Sequence, residues 1–339
     1  VKTVSLVDIA SYLPENRVGA DYFAQFAAPS RLANSPMFRP PAHRHHVADG
    51  ESAVDMAMRA VAPLVARSGE DVVRGVDAIL THTQLPDLPL QGCAGELAYR
   101  LGANPEWVLD VHNSGCAAFP YMIKVARQLL QQDGARSALI VAVQNAAGQV
   151  FTQTEVRSQP QAAIPGDGCG AGLLVVGDRA PVLATACRSQ GEFAPSPADA
   201  DVDPPRKYWE PGPGQFRIAF NQNKIARVYA RGNRMVPEVA HDVCRQVGVA
   251  PDEVDVFVTN QPNRLFLRNW REAMQLPPER HPDTFDECGN LFGAGIPVTL
   301  DTENRAGRIP NGALVVMSAF AHAGDFAGAA AVRWGAAPV

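Results

Sequence analysis

Long apolar runs are missing from this sequence. No stretch approaches the roughly 18 consecutive apolar residues of a membrane-crossing helix, and the opening VKTVSLVDIASYLPENRV reads as a strand and a loop, not a signal peptide. No membrane association is expected. Paired cysteines are also missing. Six are scattered singly (Cys93, Cys116, Cys169, Cys187, Cys244 and Cys288), with no CxxC spacing, which argues against a disulfide framework and a zinc site alike. Reduced thiols in a cytoplasmic protein without a bound metal are the expectation. Nor is there an excess of positive charge. Thirty Lys and Arg against 35 Asp and Glu give a net charge of -5, the wrong balance for a general nucleic-acid binder.

What remains is a chain of 339 residues, 46% of them apolar, long enough to bury a large core. It repeats itself. VDAILTHTQLP from Val76 returns as VDVFVTNQPN from Val254, and SALIVAVQ from Ser137 returns as GALVVMSA from Gly312. GDGCGAGLLVVG from Gly166 echoes GDFAGAAAVRWG from Gly324, and between these pairs NSGC ending at Cys116 matches ECGN ending at Asn290. Four matches in one order indicate two related halves, 1–176 and 177–339. Each alternates β-rich apolar runs with amphipathic helical patterns, the longest helical one running from Asn221 into VCRQVG. Such alternation implies sheets covered by helices on both faces, with the halves packed about a pseudo-twofold axis. Loops carrying Cys116 and Asn290 would then meet at the centre.

Cys116 itself lies between the strand-like WVLDV and a helical pattern formed by Ala118, Tyr121, Met122, Val125 and Leu129. A helix N-terminus favours a thiolate, hence a nucleophile. The competing reading is a small buried cysteine filling a gap between helix and sheet.

DVHNSGCAAF, IPGDGCGAGLLVV, NQPN at 260–263, CGNLFGAGIP at 288–297 and the terminal AHAGDFAGAAAVRW together resemble the thiolase-fold condensing enzymes, most closely the ketoacyl-acyl-carrier-protein synthase III group. The resemblance spans nearly the whole chain. It implies an α/β, thiolase-like fold in αβαβα layers and a homodimer. It also implies acyl chemistry on a coenzyme A or phosphopantetheine thioester, with no further cofactor.

Carried over by position, Cys116 matches the family's nucleophile and Asn290 its asparagine. Asn260 stands where the family usually has histidine. A carboxamide donates a hydrogen bond to an oxyanion but is neither a base nor a cation near neutral pH. His322, on the C-terminal Gly-rich loop, is the candidate replacement base, with an imidazole suited to that task; its alternative role is to bond its own loop. The backbone N–H groups of Cys116 and Gly324 (or Ala323) would form the oxyanion hole. Arg39 is the match for an arginine that meets the nucleotide end of coenzyme A, with Arg44 next.

The expected function is therefore acyl transfer from a coenzyme A or acyl-carrier-protein thioester, through a Cys116 acyl-enzyme, to a hydroxyl or amine acceptor of a secondary metabolite. The alternatives are a 3-oxoacyl synthase forming carbon–carbon bonds by Claisen condensation, and a non-catalytic partner subunit. The remaining features read as structural. HRHH (43–46) is expected in a solvated entrance loop, Asp167 and Asp325 as turn acids, and Cys169 and Cys288 as small apolar groups. The Pro-rich stretch 193–214, with Tyr208 and Trp209, reads as a surface excursion.

Overall fold

The repeated runs of the sequence become two sheets with the same internal order. A computed structural model describes residues 2–30, 35–88, 91–132, 134–154, 156–194, 200–201, 217–218, 222–321 and 324–335. The first half begins with β1 (Val4–Tyr12), β2 (Asn16–Gly19), α1 (Asp21–Ala24) and β3 (His43–His46). Next come α2 (Ala53–Ser68), α3 (Glu70–Arg74), β4 (Ala78–Thr83), α4 (Ala94–Leu101) and β5 (Trp107–Asp110). It closes with α5 (Ala118–Leu130), β6 (Ser137–Gln144) and β7 (Gly168–Val176). The second half opens with β8 (Val182–Ser189), a small pair β9 (Ala200–Asp201) and β10 (Arg217–Ile218), and the long helix α6 (Gln222–Val247). There follow β11 (Val256–Thr259), α7 (Arg264–Ala273), α8 (Phe285–Cys288), α9 (Gly295–Arg305), β12 (Leu314–Ala321) and β13 (Phe326–Arg333). The surface excursion expected at 193–214, with Tyr208 and Trp209, falls for the most part outside the described residues.

The first sheet runs β1-β7-β6-β4-β5 and the second β8-β13-β12-β11. In both, the first two contacts are antiparallel and the third is parallel. β5 is an addition to the first sheet, parallel to β4. β4, β12 and all but the ends of β6 and β13 are buried residue after residue. Strands covered on both faces need apolar side chains at every position, which is why they read as unbroken runs instead of alternating ones.

Layering follows from the three main apolar clusters. Residues of α5 and α9 pack between the two sheets. α2 and α4 cover the outer face of the first sheet, and α6 and α7 that of the second. The order is helix, sheet, helix, sheet, helix. No helix among the described residues is long and apolar enough to cross a membrane.

Two sequence expectations change. HRHH is not a solvated loop. It is β3, paired antiparallel with β2, and strand alternation turns Arg44 and His46 inward while His43 and His45 stay partly exposed. His46 packs edge-on against Tyr22, ring centroids 5.4 Å apart.

The match of Cys116 with Asn290 is shifted. Gly115–Ala117 forms the turn that enters α5, and Phe292–Ala294 the turn that enters α9. Their first residues share a left-handed backbone, φ 45° at Gly115 and 46° at Phe292. Cys116 is therefore equivalent to Gly293, and Asn290 to Asn113.

Candidate active site

The two helix-entry turns meet at the centre of the molecule. A Cβ on Gly293 would lie 3.0 Å from the carbonyl oxygen of Gly115, so the turns approach as closely as a glycine permits. Cys116 sits on the first turn, half-buried, directly before α5. A helix start should favour the thiolate, but burial wins. It pushes the thiol up to about 12, against smaller opposing effects from the residue's own N–H and from a hydrogen bond with Asn260. Burial thus favours the neutral thiol of Cys116 at neutral pH.

Asn260 ends β11, with no exposed surface. Its Nδ2 reaches the carbonyl oxygen of Phe320 at 3.5 Å, and its carboxamide acts to lower the pKa of the Cys116 thiol. Its Oδ1 has no partner. The next residue, Gln261, fixes this strand end: its Nε2 donates to Thr299 Oγ1 on α9 at 2.6 Å, and its Oε1 accepts the Thr284 N–H at 3.0 Å. Sequence reasoning missed this link, although Gln261 stood beside Asn260 in NQPN.

Asn290 is tied to the first half. Its N–H donates to Ile164 O at 2.9 Å and its carbonyl accepts from Gly166 N–H at 3.1 Å. Its Oδ1 accepts the Phe292 N–H at 3.0 Å. That bond supports the left-handed Phe292, a conformation that costs a bulky residue on the order of 1 kcal/mol or more. It leaves Nδ2 as a donor.

The remaining predicted residues fall as follows. His322 and Ala323 lie outside the described residues. Gly324 does not offer an oxyanion N–H, because that group is spent on Ala321 O at 2.9 Å in a tight turn with φ 85°. Arg39 is exposed just after the turn Pro36–Phe38. It neighbours Arg264, whose pKa is lowered first by burial and then by the charge of Arg39; Arg264 is paired with Asp286. Arg44, the second candidate, is buried beneath the β2–β3 hairpin.

The structural readings of Cys169, Cys288 and Asp167 fit what is seen, and His82, on β4, is also held by the backbone. Cys169 and Cys288 are buried. Asp167 accepts three backbone N–H bonds, from Val47 at 2.8 Å and from Ala147 and Gly148 at 2.7 Å. His82 bonds Val111 O at 2.7 Å through Nδ1.

A two-sheet, two-turn frame with a thiol and a carboxamide meeting at the pseudo-axis defines a thiolase-fold condensing enzyme. Comparison with known proteins gives the family. The model described as 3-oxoacyl-[acyl-carrier-protein] synthase III matches residues 109–191, and that of its C-terminal part matches residues 244–334. The chain belongs to the 3-oxoacyl-[acyl-carrier-protein] synthase III family. It is 26% identical over 293 residues to β-ketoacyl-[acyl-carrier-protein] synthase III 1 of Halalkalibacterium halodurans, covering 86% of each chain. Among solved structures, 3-oxoacyl-(acyl carrier protein) synthase III of Pseudomonas aeruginosa superposes with a TM-score of 0.81 at 24% identity, over 98% of this chain and 99% of that one. The priming β-ketosynthase of the R1128 polyketide pathway gives 0.85 at 18%, over 99% and 98%. At these identities the two structures speak for the fold.

Proposed function

We propose that this protein is a 3-oxoacyl synthase that forms a carbon–carbon bond through an acyl group carried on Cys116. Cys116 Sγ attacks the carbonyl of an acyl thioester of coenzyme A or acyl carrier protein, and the departing thiol leaves with the proton. A malonyl thioester then loses carbon dioxide. The electron pair of the broken carbon–carbon bond becomes an enolate, whose carbon attacks the Cys116 thioester and expels Sγ. The observation that carries this reading is the Cys116 thiol on the turn that enters α5, where the two helix-entry turns meet, with the Asn260 carboxamide acting to lower its pKa.

Losing histidine at 260 counts less against condensation than the sequence suggested. Decarboxylation generates the carbanion without removing a proton from carbon, so the site needs hydrogen-bond donors for the enolate oxygen, not a base. Asn260 and Asn290 supply two Nδ2 groups for that purpose. The ester- or amide-forming transfer, with His322 as base, remains the second reading. It is favoured by the unpartnered Oδ1 of Asn260, which can accept the O–H or N–H of an attacking hydroxyl or amine.

Arg39 is proposed to meet the phosphates of the donor arm. A homodimer is proposed through β5, which ends the first sheet with Trp107 and Val108 exposed beside Tyr99. A second copy of that edge, turned by a twofold axis, satisfies it. Purified protein incubated with acyl thioesters and malonyl thioester decides between the chemistries. Carbon dioxide release with a 3-oxoacyl product supports condensation, whereas an ester or amide product without carbon dioxide release supports the second reading.

A further inference from the structure

Arg44 has no exposed surface, and a guanidinium is the side chain least able to shed its charge on burial. Its Nη1 donates to Ala163 O at 2.6 Å, and its Cζ lies 4.5 Å from the centroid of the Phe23 ring. Nε and Nη2 have no partner. These two N–H groups point the same way from one edge of the guanidinium. They form the side-on fork that takes both oxygens of a carboxylate. His46, two residues along the same inward face of β3, also has a buried Nε2 without a partner. Burying such donors unused is costly, and no carboxylate among the described residues is bonded to the fork.

The position of the fork relates it to the nucleophile. Phe23, under the guanidinium, belongs to an apolar cluster with Ala146, Phe151, Val156 and Ala162, against which Leu85, Ala163 and Phe292 pack. Phe292 stacks on Phe151 with centroids 6.4 Å apart and takes its N–H bond from Asn290. One end of this cluster therefore adjoins the acyl-carrying site, and the other ends in a cation. We infer that the acyl chain accepted by this enzyme carries a terminal carboxylate, bound by the Nε–Nη2 edge of Arg44 with His46 beside it. The inference rests on the Cys116 acyl-enzyme reading and adds the substrate class.

Matched coenzyme A thioesters of equal chain length test it: succinyl against butyryl, glutaryl against pentanoyl, and adipyl against hexanoyl, with Cys116 acylation followed by intact-protein mass spectrometry. In the native protein at least one carboxylate-ended thioester should load about tenfold or more faster than its partner. Arg44→Met should abolish that preference while leaving the alkyl thioester within about threefold. Arg44→Lys, which keeps the charge and loses the fork, should fall between. Ratios near one for every pair in the native protein overturn the inference, as does a preference that survives in Arg44→Met. Should neither variant fold, the native ratios decide. If no thioester loads, the acyl-enzyme reading itself fails. The anion site is then judged by thermal stabilisation with free glutarate over pentanoate: seen in the native protein and lost in Arg44→Met it stands, and otherwise it falls.

Discussion

The molecule contains the same half-site twice, and only one copy carries a thiol. In each half a strand end faces the helix-entry turn of the other half. Asn260, at the end of β11, meets Cys116 on the turn before α5. His82, at the end of β4, meets Gly293 on the turn before α9, where an added Cβ would lie 2.9 Å from His82 Cδ2. The frame is shared and the side chains are exchanged: thiol with carboxamide on one side, glycine with imidazole on the other. The histidine absent at 260 has a counterpart in the other half, where its Nδ1 is committed to Val111 O. Duplication supplied two equivalent positions, and the difference between them separates a turn that carries a thiol from one that is filled by packing.

Replacing the thiol is the most direct way to break this asymmetry. Cys116→Ala should leave no acyl adduct by mass spectrometry with any thioester, while circular dichroism stays unchanged, because the turn is held by the Ala117 N–H bond to Ser114 O at 2.8 Å. Asn260→Ala removes the partner of the thiol. Condensation should fall about 10²- to 10³-fold, the usual cost of losing one oxyanion donor. The same variant sharpens the comparison through pH. With the thiol raised to about 12, the thiolate is scarce at neutral pH. Alkylation of Cys116 by iodoacetamide should therefore climb about tenfold per pH unit throughout the accessible range. Asn260 opposes the rise, so Asn260→Ala should move the thiol higher still and slow alkylation at every pH. Faster alkylation in the variant would show that Asn260 does not touch the sulfur.

The half-site without a thiol resists a side chain. In Gly293→Ala the new methyl group meets His82 Cδ2 at 2.9 Å and Gly115 O at 3.0 Å, and the second of these is backbone of the turn that carries Cys116. A cost of about 1–3 kcal/mol is expected, read as a lowered midpoint in urea, together with slower Cys116 acylation. A variant as stable and as fast as the native protein would mean that the two turns do not press on each other.

Much of this frame was legible in the sequence, because two-sided burial writes itself as apolar runs and duplication writes them twice. The register at the centre was not. NSGC and ECGN align by eye on their glycines, Gly115 with Gly289, yet the backbone aligns Gly115 with Phe292. A left-handed φ that glycine adopts freely is there forced on a phenylalanine by the Asn290 cap, and nothing in the residue type announces it. HRHH misled for a related reason. Four polar residues read as solvated, but in a strand every second one turns inward, and Arg44 and His46 are buried. Gly324 was placed correctly in a Gly-rich loop, whereas the bond that uses its N–H is set by turn geometry. The resting state of Cys116 depends on burial by residues distant in sequence, which opposes the helix-start argument and exceeds it.

The smallest effect expected lies where the halves are most alike. Asp77 and Asp255 stand at the same place in the repeat, just before β4 and β11, and each gives its N–H to the neighbouring strand, to Ser137 O at 3.0 Å and Leu314 O at 3.1 Å. Their carboxylates differ. Asp77 Oδ2 accepts two N–H bonds, from Arg136 at 2.7 Å and Ser137 at 3.0 Å, and the residue is half-buried. Asp255 Oδ2 accepts one, from Leu314 at 2.8 Å, and is exposed. A hydrogen bond to a charged group contributes up to about 1.5–3 kcal/mol when shielded and less in contact with water. Asp77→Ala should therefore cost about 1–2 kcal/mol and Asp255→Ala about 0.5–1 kcal/mol in chemical denaturation. The order matters more than the values. If Asp255→Ala proves the more damaging, the second sheet depends on its strand-start acid more than the first does, and the two halves are less alike in stability than their shared strand order implies.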